Sequence, residues 1–165
     1  MKIELKKIEF SERMSEETNC FVADLYINGR KAGYVKNDGH GGQTDYRGNS
    51  PADNDIIAQA EQYCKTLPDI NYGTFTIKNS LEHTIDQLFE DWILAKERKK
   101  KEKKMRTCIL VGVPDAPVYS YYNFKRPLSD VPKAHLQMNV QRIKDKLKAG
   151  EAILNTNLEA LGVQV

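Results

Sequence analysis

Apolar positions in the first third of the chain recur with a period of two. Ile3 and Leu5 share one parity, Ile8 and Phe10 the other. Side chains alternate across a strand, so this switch predicts an edge strand broken by a bulge. In CFVADLYINGRKAGYV, Ala23, Leu25 and Ile27 fall on one face, Asn28-Gly29 suits a type I′ turn, and Ala32 to Val35 begins a return strand. The glycine-rich stretch KNDGHGGQTDYRGN, residues 36–49, then reads as a long polar loop.

At GNSPADNDIIAQAEQYCKTLP the period lengthens to that of a helix. Ser50 is the expected cap, Pro51 the first helical residue, and Asp53 completes a capping-box-like spacing. Ile56, Ala60, Tyr63 and Leu67 share the expected inner face, and Pro68 ends the run. A turn at 68–73 precedes a short strand at 74–78. The next segment, from Ser80, predicts a long amphipathic helix with His83 at its third position. Leu81, Ile85, Leu88, Phe89 and Trp92 form its stripe. The stripe fades where the lysines begin, so 81–95 is expected to pack, and 96–105 to project as helix or fray.

Strands are predicted at 107–113 and 118–127, separated by Pro114-Asp115-Ala116-Pro117. A further helix has Leu136, Val140, Ile143 and Leu147 on one face and Gly150 as its C-terminal cap. The tail reads as a short extended segment followed by a helical turn. Together these elements predict one α+β domain over 1–165, with an antiparallel or mixed sheet of about five to six short strands packed with three helices. Residues 96–106 form a basic helix extension or hinge within it.

Composition adds limits. The 165 residues are 40% apolar and 29% charged, which suits a globular chain with a proper core. No apolar run reaches the length of a membrane span, and MKIELKKIEFSER lacks a signal's apolar centre, so cytoplasmic residence and no membrane partner are expected. Cys20, Cys64 and Cys108 are odd in number and widely spaced, which argues against a disulfide framework or zinc knuckle and favours buried thiols. No metal or permanent cofactor is expected.

Two stretches carry candidate chemistry. In the glycine loop, Gly39, Gly41 and Gly42 can turn backbone N–H groups toward an anion. Neither the Walker spacing nor a dinucleotide loop leading straight into a helix is present. His40 with Asp45 is the weak candidate for a base and its orienting partner. Tyr46 and Arg47 add stacking and phosphate neutralisation. Gly39, His40, Gly41, Gly42, Tyr46 and Arg47 therefore form the candidate ligand-binding set. A glycine-rich connection that satisfies its own backbone explains the same residues without a ligand. His83 and His135 read as surface or capping groups.

The second stretch is KERKKKEKKMR, residues 96–106, with eight basic and two acidic side chains. Its local +6 exceeds the net +2 of the whole chain, leaving −4 elsewhere. Arg98, Lys99, Lys100, Lys101, Lys103, Lys104 and Arg106 would attract phosphate through salt-sensitive electrostatics. Nearby, VYSYYNFKRP alternates so that Tyr119 and Tyr121 share a face, an arrangement that suits single-stranded nucleic acid. A solvated helix end and an acidic protein partner are the competing readings.

The whole chain, especially ETNCFVADLYINGRKAGYVKNDGHGG, SLEHTIDQLFEDW and ILNTNLEALG, resembles small accessory proteins of bacterial mobile elements and phages. The resemblance implies an intracellular accessory role and supplies no catalytic residues. A binding or accessory protein is thus expected before an enzyme. Its candidate partners are nucleic acid, an acidic protein, or a second copy paired through exposed strand edges as a homodimer. The alternatives are an enzyme acting on a nucleotide or phosphorylated small molecule through 38–47, and a protein–protein module with no anionic ligand.

Overall fold

The computed structural model describes residues 1–71 and 73–165, and the chain divides into two compact units, Met1–Leu94 and Ala95–Val165. The boundary falls one residue before the basic run. Tyr72, inside the turn expected at 68–73, lies outside the described residues.

The first unit opens with an antiparallel sheet of four strands in the order β1 (Ile3–Phe10), β2 (Phe21–Ile27), β3 (Arg30–Asn37) and β4 (Asp45–Gly48). The expected bulge is present. The β1–β2 register shifts between Lys6 and Glu9, with Lys7 at a φ of 50°. Ile27 pairs with Arg30 across a two-residue turn in which Asn28 and Gly29 have φ of 51° and 82°, as a type I′ turn requires. The sheet's outer face mixes charged side chains with exposed Val22 and Tyr34. Asp24 lies 2.6 Å from Lys31 Nζ and 3.7 Å from Lys7 Nζ, and the Lys31 ammonium chiefly holds its carboxyl below the usual value.

Residues 45–48 correct the reading of 36–49 as a loop throughout. They form β4, which pairs with β3 from Gly33↔Gly48 to Lys36↔Asp45. A β-carbon on Gly33 would run into the Arg47 carbonyl, so glycine lets the two backbones approach. With only Tyr46 turned toward the core, the four-residue strand leaves almost no hydrophobic period to read.

Helix α1 (Pro51–Lys65) begins as its sequence demands. Ser50 Oγ accepts the Asp53 N–H at 3.2 Å and donates to Asp53 Oδ2 at 2.7 Å. Arg30 also donates to the Asp53 carboxylate at 2.8 Å, tying the helix start to β3. The inner face differs from expectation. Asp53, Ile57, Ala60 and Cys64 are buried, while Ile56 and Tyr63 lie at the edge of the core. Helical periodicity gives the width of an apolar stripe, but the position of the sheet decides its phase.

After a separate hairpin of β5 (Ile70–Asn71) and β6 (Thr76–Ile77), helix α2 runs unbroken from Leu81 to Met105. Ser80 Oγ accepts the His83 N–H at 3.0 Å, the expected cap. Leu81, Ile85 and Phe89 insert among Phe21, Leu25, Ile27 and Val35. Phe89 stacks on Phe21 with ring centroids 3.8 Å apart. Burying each such side chain is worth roughly 1.5–3 kcal/mol.

The second unit has a three-stranded antiparallel sheet in the order β8 (Ser120–Asn123), β7 (Cys108–Gly112) and β9 (Ala152–Ile153), with helix α3 (Lys133–Lys144). All five β7 residues are buried. Ile109 and Val111 face a core with Leu136, Val140, Ile143 and Leu158, while Cys108 and Leu110 pack with Met105 and Tyr119 on the opposite face. A strand covered on both sides reads as one apolar run. Where β9 stops, the Asn155 side chain continues the ladder. Its Oδ1 accepts the Leu110 N–H at 2.7 Å and its Nδ2 donates to the Cys108 carbonyl at 3.0 Å.

The strands form separate sheets of four, two and three, not one antiparallel or mixed sheet of five to six. Two cores at different points of the chain each gather their own strands, which local patterning does not reveal. Gly150 has the positive φ of a cap, 83°, but α3 ends at Lys144 and the glycine shapes a later turn. Cys64 and Cys108 are buried thiols, whereas Cys20 is only partly covered. Among the described residues, no helix is long and apolar enough to cross a membrane.

Candidate functional site

The glycine loop is tied down by its own chain. The Gly39 carbonyl accepts the N–H groups of Glu16, Glu17 and Thr18 at 3.0, 3.0 and 3.3 Å. Gly39 has a φ of 85°, and a β-carbon there would meet the Met14 carbonyl. The N–H of Gly39 donates to Asn37 Oδ1 at 2.9 Å, and that of Gly41 to Thr18 Oγ1 at 3.2 Å. Two of the amides an anion nest would use are therefore engaged by protein oxygens.

Of the weak catalytic candidates, His40 places Nδ1 3.2 Å from Glu16 Oε2, with both side chains exposed. Asp45 and Arg47 are exposed on β4, with Tyr46 between them turned to the core. Tyr46 Oη donates to Glu61 Oε1 at 2.9 Å, joining β4 to α1. Burial first, then Glu61, pushes its phenol well above the ordinary value.

Beside this loop lies a cleft of about 280 Å³ with Phe21 and Phe89 among its lining residues, bordered by Glu17, Glu82, Asp86 and Glu90. Its polar part was not legible in the sequence. Buried Asn37 donates to Thr44 Oγ1 at 3.1 Å, and Thr44 Oγ1 donates to Asp86 Oδ1 at 2.6 Å. The Thr44 N–H donates to Glu82 Oε1 at 3.1 Å. Burial pushes the Asp86 carboxyl up, with Glu82 and Glu90 adding to the effect and the Thr44 hydrogen bond and His83 opposing it. The spacing 82, 86, 90 places three carboxylates on one helical stripe, the one signal the sequence offered. Four acidic groups around one cleft repel phosphate. Among the described residues, no group of three or more His, Cys, Asp or Glu side chains is arranged to hold a metal ion.

The second unit joins two features that are separate in sequence. Met105 is buried against Cys108 and Leu110, which seats the end of α2 on one face of β7. The β7–β8 register pairs Leu110 with Tyr121 and Ile109 with Tyr122. Alternation thus places Tyr121, and Tyr119 two residues before it, on the face that carries α2. Lys104 Nζ lies 3.5 Å from the Tyr121 ring centroid and 5.3 Å from that of Tyr119, with Lys101 Nζ 5.4 Å from Tyr119. Tyr121 stays 50% exposed, and every β8 residue faces solvent.

The remaining basic candidates are distributed around the helix. Arg98 lies one turn before Lys101 on a similar stripe, Lys100 approaches Glu97 at 3.4 Å, and Lys99, Lys103 and Arg106 are exposed elsewhere. Charge follows the division of the chain: residues 1–94 hold sixteen acidic and ten basic side chains, 95–165 seven and fifteen. Comparisons with protein-family models, curated proteins and solved structures returned no match.

Proposed function

We propose that the protein binds single-stranded nucleic acid through the face formed by Lys101, Lys104, Tyr119 and Tyr121, with Arg98 extending it along α2. The observation that carries this reading is the placement of Lys104 over the exposed Tyr121 ring. Single-strand binders combine cations that track phosphates with rings on which bases stack, and this face supplies both. The local charge supports the same choice. A phosphate is drawn to a unit with an excess of eight positive charges and repelled by the acidic cleft beside the glycine loop. An accessory role in a mobile element or phage, implied by the resemblance, accommodates such a contact.

Fluorescence anisotropy with a labelled oligothymidylate tests the proposal. Affinity is expected to fall with salt. Lys101→Gln with Lys104→Gln should flatten the slope of log K against log salt by about 1.4, for two phosphates at about 0.7 each. Tyr121→Ala should weaken binding by about 1–3 kcal/mol, the value of one base–ring stack. Unchanged affinity in both folded variants would remove this face as the contact.

A further inference from the structure

The lysine-rich end of α2 has a second side. Lys103 and Arg106 border a groove of about 560 Å³ whose lining includes Pro127, Leu128, Ala160 and Leu161. That volume lies within the roughly 300–1,000 Å³ of ligand clefts. Its walls are held before any partner arrives. The Leu128 N–H donates to the Arg106 carbonyl at 2.7 Å, and Asn157 Nδ2 donates to the Met105 carbonyl at 3.0 Å. The lining is mostly apolar and contains no aromatic ring, so it offers an aliphatic side chain a seat and a nucleobase no stacking partner. Among the described residues, neither Lys103 nor Arg106 forms an ion pair.

We infer that this groove docks an acidic segment of a partner protein. One aliphatic side chain lies against Pro127, Ala160 and Leu161, and flanking carboxylates reach Lys103 and Arg106. An apolar floor with a cationic rim is complementary to an anionic peptide with an apolar anchor, the rim giving orientation and the floor most of the affinity. The groove is separate from the Lys101–Lys104 face: Lys103 is rotated about 200° from Lys101 on α2, and none of Lys101, Lys104, Tyr119 and Tyr121 lines the groove. Either proposal can therefore fail without the other.

The test uses the full chain labelled with nitrogen-15 and a short labelled peptide of glutamates interrupted by leucines. Amide shifts are expected at Arg106, Leu128, Ala160 and Leu161. Lys103→Glu with Arg106→Glu should weaken binding about tenfold or more, as should replacing the peptide's leucines with serine. Lys101→Glu with Lys104→Glu should leave most of the affinity. Ala160→Arg, at an exposed position, should block the groove; if that variant does not fold, the Lys103/Arg106 pair and the serine peptide decide the matter. Equal binding of the serine peptide, shifts confined to Tyr119 and Tyr121, or no peptide binding overturns the inference. Groove shifts produced by oligothymidylate and not by peptide also overturn it.

Discussion

The two units use the same kinds of side chain for opposite ends. In residues 1–94 a cluster of rings packs around Phe89, while Tyr34 and Phe75 stay exposed. Phe89 stacks on Phe21 at 3.8 Å, meets Phe10 edge-on at 5.6 Å, and lies 5.9 Å from Trp92. In residues 95–165 Tyr121 and Tyr122 stand in solvent, with Lys104 over Tyr121. Carboxylates gather around a cleft in the first unit, and lysines gather over tyrosines in the second. An aromatic ring contributes area and dispersion when buried, and a stacking surface when exposed. What an aromatic residue does here is decided by what its neighbours cover.

The largest effect expected from this contrast is at Phe89. Phe89→Ala should cost about 3–5 kcal/mol, read as a loss of urea midpoint, because it opens a cavity beneath Phe21 and Trp92. Tyr121→Ala should leave stability within roughly 0.5 kcal/mol, as an exposed substitution does. Equal destabilisation by the two would erase the distinction between buried and exposed rings.

A smaller loss, about 2–3 kcal/mol, is expected for Asn155→Leu. Leucine strands the Leu110 N–H and Cys108 carbonyl in a buried setting. Hydrogen exchange at Leu110 should accelerate with it; an unchanged rate would show that the side chain does not close the ladder. Ser50→Ala should cost about 1 kcal/mol in a thermal melt through loss of the α1 cap. A loss near zero would mean that Pro51 and the Arg30–Asp53 pair suffice to start the helix.

The smallest effect concerns the acidic cleft. The native Asp86 carboxyl is raised above 3.8 by burial, reinforced by Glu82 and Glu90. A raised carboxyl favours the protonated folded state, so its contribution is full below the unfolded value and is lost as pH rises through the native one. Asp86→Asn can keep an acceptor for Thr44 while removing the charge. The urea midpoint of the variant relative to the parent should therefore rise across that window and level off above it. A flat difference would show that the cleft tolerates its fourth carboxylate without cost.

Neighbours in the chain settle the local features of this fold. Parity placed the β1 bulge, Asn28-Gly29 fixed a turn that needs two positive φ angles, and Ser50 and Ser80 began their helices through hydrogen bonds three residues on. The apolar run at 107–113 announced the strand β7. The candidate cations and tyrosines were legible as types, but not as a site. Only tertiary structure decided that Lys101 and Lys104 meet Tyr119 and Tyr121 while Lys103 and Arg106 border a groove. It also drew β4 out of a polar loop, shifted the inner stripe of α1 to Ile57 and Cys64, and brought Thr44 to Asp86 across forty-two residues. Caps and turns are closed by bonds a few residues long. Strand register, helix phase and the grouping of strands into sheets depend on surfaces far apart in the chain, and no local pattern encodes which of those surfaces will meet.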